Sequence, residues 1–207
     1  MKTYLTLIKF TQRILLGVSI LILAFLPEFM VFYPHYFTQS VTDNLYSAAH
    51  ASLFFVMTIR PLADVLRRAT FIRPLVILRK GAGVFSASIA VSFLLAKFII
   101  DPSGYLASYS THAYWSVSHL TLFAHLADVA AILLLITSNN LSKRLLGTNW
   151  KRIQRLSYVY FYGSALYVIV NYGNSTMVAY TLIVTTLTIT AFFVNRRRRL
   201  IVARISV

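Results

Sequence analysis

Six side chains in this sequence carry chemistry that neither solubility nor simple packing requires: His35, His50, His112, His119, His125 and Asp128. Imidazole titrates near neutrality and is the commonest nitrogen ligand for metals and heme iron. His125 and Asp128 are three residues apart, so on a helix they share a face and can reach each other or a common partner. A buried pair of this kind serves either as a proton relay or polar pocket, or as an interhelical hydrogen bond that fixes packing. His50 and His119 each fall about one and a half turns inside an apolar segment. If their helices face each other, the two imidazoles can ligate one heme or metal ion, with His125 as a third candidate. The alternative use is hydrogen bonding inside a helix bundle, with Ser47, Ser116 and Ser118 nearby. The chain has no cysteine, which excludes disulfides, thiolate nucleophiles and iron–sulfur clusters. No Gly-rich phosphate loop and no Ser-centred nucleophile elbow is present. Gly81-Ala82-Gly83 is a small-residue helix opening suited to close packing.

The elements that must position these residues are apolar. With 58% hydrophobic and 12% charged residues and a mean hydropathy of +0.70, the 207-residue chain holds more apolar surface than a soluble domain can bury, and the excess must face lipid. Runs of about 20 apolar residues, the length that crosses about 30 Å of hydrocarbon, recur at 14–33, 45–62, 81–100, 113–137, 156–172 and 176–194. Turn-forming stretches such as Tyr33-Pro34-His35, Asp101-Pro102-Ser103-Gly104 and Asn171-Tyr172-Gly173-Asn174 separate them. The runs lack the alternation of a lipid-embedded barrel, so helices are expected. The first run continues without a small-residue cleavage site and reads as retained, not as a removed signal peptide. No repeat or linker divides the chain, which is read as one domain over 1–207.

Basic residues fix the orientation, because short loops rich in Lys and Arg stay in the cytoplasm. Lys2, Lys9 and Arg13 precede the first span; Arg60, Arg67, Arg68, Arg73, Arg79 and Lys80 separate the second from the third. Lys143, Arg144, Lys151, Arg152 and Arg155 separate the fourth from the fifth, and Arg196 to Arg199 with Arg204 follow the sixth. With six spans all four clusters fall on one side, and both termini are cytoplasmic. The opposite loops carry neither Lys nor Arg, and Lys97 near the outer end of the third span can snorkel to the headgroups. The formal charge of +15 is therefore topological and does not call for a nucleic-acid partner. Tyr33, Tyr36, Tyr105, Tyr109, Tyr114 and Trp115 form an outer aromatic belt, as expected at a membrane interface.

From about 57 to 170 the chain resembles MsrQ (YedZ), the membrane subunit of the bacterial methionine sulfoxide reductase system, within the ferric-reductase-like transmembrane domains. The likeness rests on Arg60-Pro61-Leu62-Ala63, on Ile77-Leu78-Arg79-Lys80-Gly81-Ala82-Gly83-Val84 and on Ile136-Thr137-Ser138-Asn139-Asn140. It continues through Arg144-Leu145-Leu146-Gly147-Thr148-Asn149-Trp150-Lys151 with Ile153, Leu156 and Tyr158. The resemblance implies six helices and heme B, held by histidines and carrying electrons from a cytoplasmic flavin source to a periplasmic acceptor. The family's ligand positions fall on Phe93, Gln154 and Tyr167 here, and neither Phe nor Gln ligates heme iron.

Together these readings give an all-α integral membrane protein of six transmembrane helices, N-in and C-in, with a ferric-reductase-like bundle, in the bacterial inner membrane. Vacated ligand positions imply that the hemes are lost, and that the chain, without cofactor and not an enzyme on its own, serves as a binding or structural subunit of a redox or energy-converting membrane complex. Its partners are then the bilayer and other membrane subunits. The competing expectation is an electron-transfer subunit holding heme B through rearranged ligands among His50, His119 and His125.

Overall fold

A computed structural model gives the fold and describes residues 2–117 and 120–205, so the candidate ligand His119 lies outside the described residues. Among these residues there is no strand, and ten α-helices follow one another. They are α1 (Lys2–Phe32), α2 (Gln39–Val65), α3 (Ile72–Leu75), α4 (Leu78–Ile100), α5 (Pro102–Ser108), α6 (Thr121–Ile136), α7 (Asn140–Leu146), α8 (Thr148–Ile153), α9 (Leu156–Tyr172) and α10 (Ser175–Ile205). Short 3-10 turns cover Pro34–Tyr36 and His112–Trp115.

Each apolar run of the sequence corresponds to a long helix: α1, α2, α4, α6, α9 and α10. Local chemistry sets their ends. Thr38 caps α2 by accepting from the Val41 amide at 3.5 Å, and Asn174 accepts from the Met177 amide at 3.1 Å at the start of α10. Gly173 closes α9 in the left-handed conformation at φ 59°, which costs a residue without Cβ nothing. The fourth run departs from expectation. Its helix begins only at Thr121, behind Leu120 at φ 53°, and its expected first turns form the separate 3-10 turn at His112–Trp115. A left-handed leucine cannot continue a right-handed helix, so the break is local and steric.

Three helices are long and apolar enough to cross a membrane: Thr3–Phe32, Ile72–Ile100 and Ser175–Arg198. A fourth joins them if α6 and α7, bent by 99° where they meet, count as one span. The others fall short for physical reasons. α2 has 27 residues, but Asp43, Asn44, His50, Arg60 and Asp64 dilute its apolar character. α9, with 17 residues, sits at the lower limit for crossing about 30 Å at 1.5 Å per residue.

The bundle is organised around α4, which packs against α1, α2 and α6; α6 pairs with α9, and α10 lies on α2 and α9. Close approach is possible because the inward residues of α4 are small. Gly81, Ala82, Ser86, Ala87, Ser92 and Ala96 are all buried, and small residues are what membrane helices use to pack backbone against backbone. The shared core joins Leu53 and Met57 of α2, Ala87 of α4, Ala131 of α6, Phe161 of α9 and Val184 of α10. Burial divides the helices by role: 44% of the apolar window in Ile72–Ile100 is buried, against 11% in α1 and 17% in α10. The uncovered faces of α1 and α10 present Ile20, Phe25, Leu182 and Phe192 outward, which is the surface lipid must cover.

Candidate functional site

The end of the bundle away from the basic loops carries a polar cluster. His125, one turn into α6, lies flat against Tyr114 of the preceding 3-10 turn, with ring centroids 3.5 Å apart and 7° between planes. Its Nδ1 is 4.0 Å from Asp128 Oδ2, so the helical spacing read in the sequence does bring the pair together. Lys97 of α4 stands within electrostatic reach of both. Around them, the Trp115 indole donates to the Tyr109 carbonyl at 2.8 Å, and the Tyr105 and Tyr109 hydroxyls are 2.9 Å apart. Burial and then the bond to Tyr109 push the Tyr105 phenol well above the ordinary tyrosine value. An aspartate with a lysine and an imidazole nearby is compensated, and the arrangement can hold a proton or fix a helix contact equally well.

The positions where the resemblance calls for heme ligands are occupied by packing. Phe93 of α4 is 6% exposed and stacks on Tyr46 of α2 at 4.4 Å and 14°, within a small cluster that includes Ala49 and Ile89. Gln154 donates from Nε2 to the Thr137 hydroxyl at 3.5 Å, beside Trp150, which donates to the Thr137 carbonyl at 3.0 Å. Tyr167 contributes its ring to a contact with Tyr172 at 6.1 Å. His50 makes one bond, from Nδ1 to the Tyr46 carbonyl at 2.8 Å. A carbonyl only accepts, so Nδ1 carries the proton and Nε2 is the nitrogen that any ligand of His50 would meet. Among the described residues no group of three or more His, Asp or Glu side chains converges as a metal site.

The opposite, basic end holds more than a topological surplus of charge. A cavity of about 790 Å³ opens there, within the range of ligand pockets. Arg60, Arg79, Lys80, Lys143, Lys151 and Arg155 all line it. These cations come from α2, α4, α7 and α8 and from the junction before α9. Motif residues separated by up to about a hundred positions meet here: Pro61, Gly83, Ser138, Asn140, Trp150 and Tyr158 all line the same space. The signal that could have located it is the clustering of motif residues at the basic ends of the spans. No family model, curated protein or solved structure matches the chain.

Proposed function

We propose that the chain is a six-helix, ferric-reductase-like transmembrane protein of the MsrQ kind, set in the bacterial inner membrane with both termini in the cytoplasm. It works without heme, as a binding or structural subunit of a larger membrane assembly. The observation that carries this reading is the Phe93–Tyr46 stack: the buried Phe93 ring, stacked on the more exposed Tyr46, stands where an electron-carrying bundle needs an imidazole on α4. The Gln154 contact with Thr137 supports it in the same way at a second position. A scaffold can persist while its site chemistry is lost.

The second reading, heme B held by rearranged histidines, is favoured by one observation, the His50 tautomer that points an unprotonated Nε2 away from its own helix backbone. The two readings part on assembly and colour. Purified in a mild detergent and sized by light scattering, a structural subunit elutes in stoichiometric complex with other membrane proteins and without a Soret band. A colourless monomer with no partner in any mild detergent would defeat the subunit reading. A heme spectrum that vanishes in His50→Ala would replace it with electron transfer.

A further inference from the structure

We propose that the cavity at the basic end of the bundle is a binding site for a phosphate-bearing amphiphile, specifically an anionic phospholipid of the adjoining leaflet. Three independent features lead there. The first is uncompensated charge. Six cations, Arg60, Arg79, Lys80, Lys143, Lys151 and Arg155, line one space whose lining includes a single carboxylate, Asp64. That carboxylate accepts from Asn195 Nδ2, also in the lining, at 3.1 Å, and one negative charge leaves most of the six positive ones unbalanced. Among the described residues the sole ion pair is the distant His125–Asp128 contact, so none of the six is in a salt bridge with another described residue. A topological surplus of Lys and Arg needs only to lie on the right side of the membrane; it does not need to converge from four helices and the loops between them on one cavity.

The second feature is the cavity's two-ended character. Below the cations the lining becomes aliphatic and aromatic, with Leu53, Met57, Val84, Leu134 and Phe192. Phe192 is 61% exposed on α10, one of the helices apolar enough to cross a membrane. The cavity therefore communicates with the lipid-facing surface as well as with the basic loops, and an acyl chain enters it without leaving the hydrocarbon. The third is an unsatisfied group: the Thr188 hydroxyl also lines the cavity and is buried with no hydrogen-bond partner. Such a group calls for a polar partner, and the ester carbonyls of a glycerolipid are hydrogen-bond acceptors of that kind. Trp150, with Lys143 Nζ 5.5 Å from its ring, is also in the lining, and an indole suits a membrane interface.

This inference needs only that the basic end adjoins a leaflet and holds whether or not the bundle carries heme. The test is native mass spectrometry and equilibrium binding on the full chain in detergent, with phosphatidylglycerol, phosphatidylcholine, inorganic phosphate and flavin mononucleotide as separate probes. The expected result is about one phosphatidylglycerol per chain, retained in preference to phosphatidylcholine and not displaced by millimolar inorganic phosphate. Each removed cation costs about fivefold in affinity near a membrane surface, so the exposed pair Lys80→Gln with Lys151→Gln weakens retention at least about tenfold. Arg196→Gln with Arg197→Gln, on basic residues outside the lining, leaves it unchanged. Gly83→Leu gives a second route, because a Cβ at Gly83 meets only Val56 Cγ2 at 3.7 Å; the side chain fills the floor without altering charge and also lowers retention. Equal retention in the cavity variants and wild type, equal retention of phosphatidylcholine, or displacement by inorganic phosphate or the flavin would overturn the assignment to lipid.

Discussion

Tyr160 shows how the interior satisfies a polar group where water is absent. Its hydroxyl is 3.1 Å from Ser86 Oγ and also donates to the Ser86 carbonyl at 3.3 Å, tying α9 to α4. Tyr160→Phe removes both contacts and lowers stability by about 1 kcal/mol. Ser86→Ala leaves the backbone acceptor in place and costs less; thermal unfolding of the two variants in detergent checks the order, and a larger loss in Ser86→Ala would contradict it. His125, partly buried at the outer end of the bundle, is the complementary case. His125→Ala forfeits the Tyr114 stack, worth about 0.5–1.5 kcal/mol. Asp128→Asn removes a charge that is costly at depth and is neutral or stabilising in the same assay. Of these residues, the His125–Asp128 pair was legible because a three-residue spacing is a property of the helix itself. The partnership of His50 with a second imidazole depends on rotations between helices that no local pattern encodes, and His119 lies outside the described residues. His50 Nδ1 bonds to the Tyr46 carbonyl of its own helix, which leaves Nε2 as the nitrogen a partner would meet.

At the scale of elements, the seams between helices depend on single glycines. A Cβ on Gly163 of α9 would lie 2.8 Å from the Phe123 carbonyl and 3.3 Å from Ala127 Cβ on α6. The contact is with backbone, which cannot swing aside, so Gly163→Val separates α6 from α9 and costs about 1–3 kcal/mol. Gly81 of α4 is nearly as tight against α1, with Leu15 Cβ at 3.1 Å. Gly17, also on α1, has nothing within 4 Å, so Gly17→Ala raises helix propensity and stabilises by up to about 1 kcal/mol. Opposite signs at Gly163 and Gly17 in one thermal-shift series are expected; equal tolerance would mean the α6–α9 seam is looser than described. Six long helices were legible from apolar run length alone. The late start of α6 was not, because residues 113–120 are as compatible with a helix by composition as those that follow, and the break rests on one left-handed leucine. The basic cavity was also hidden, since its lining is assembled from segments far apart in the chain.

For the whole molecule, the proposed topology places the four basic clusters on one side and the aromatic turns on the other. The absence of native cysteine makes this measurable without background. Cysteines at Tyr36, Ser110 or Asn174 react with an impermeant maleimide on intact cells, whereas cysteines at Arg68 or Ser142 react only after the membrane is opened. Labelling of Arg68→Cys from outside would contradict six spans with both ends in the cytoplasm, and would favour the smaller number of helices that are long and apolar enough to cross. Helices α1 and α10, with their outer faces bare, are the surfaces where lipid or a partner subunit must lie. The most direct test of the proposed heme-less role is the absorption spectrum of the detergent-purified chain, oxidised and then dithionite-reduced, after expression with ample heme supply and with acid extraction to count heme per chain. A colourless protein with no extractable heme is the expected result. A Soret band with sharp reduced α and β bands, lost in His50→Ala or His119→Ala, would contradict it and return the bundle to electron transfer.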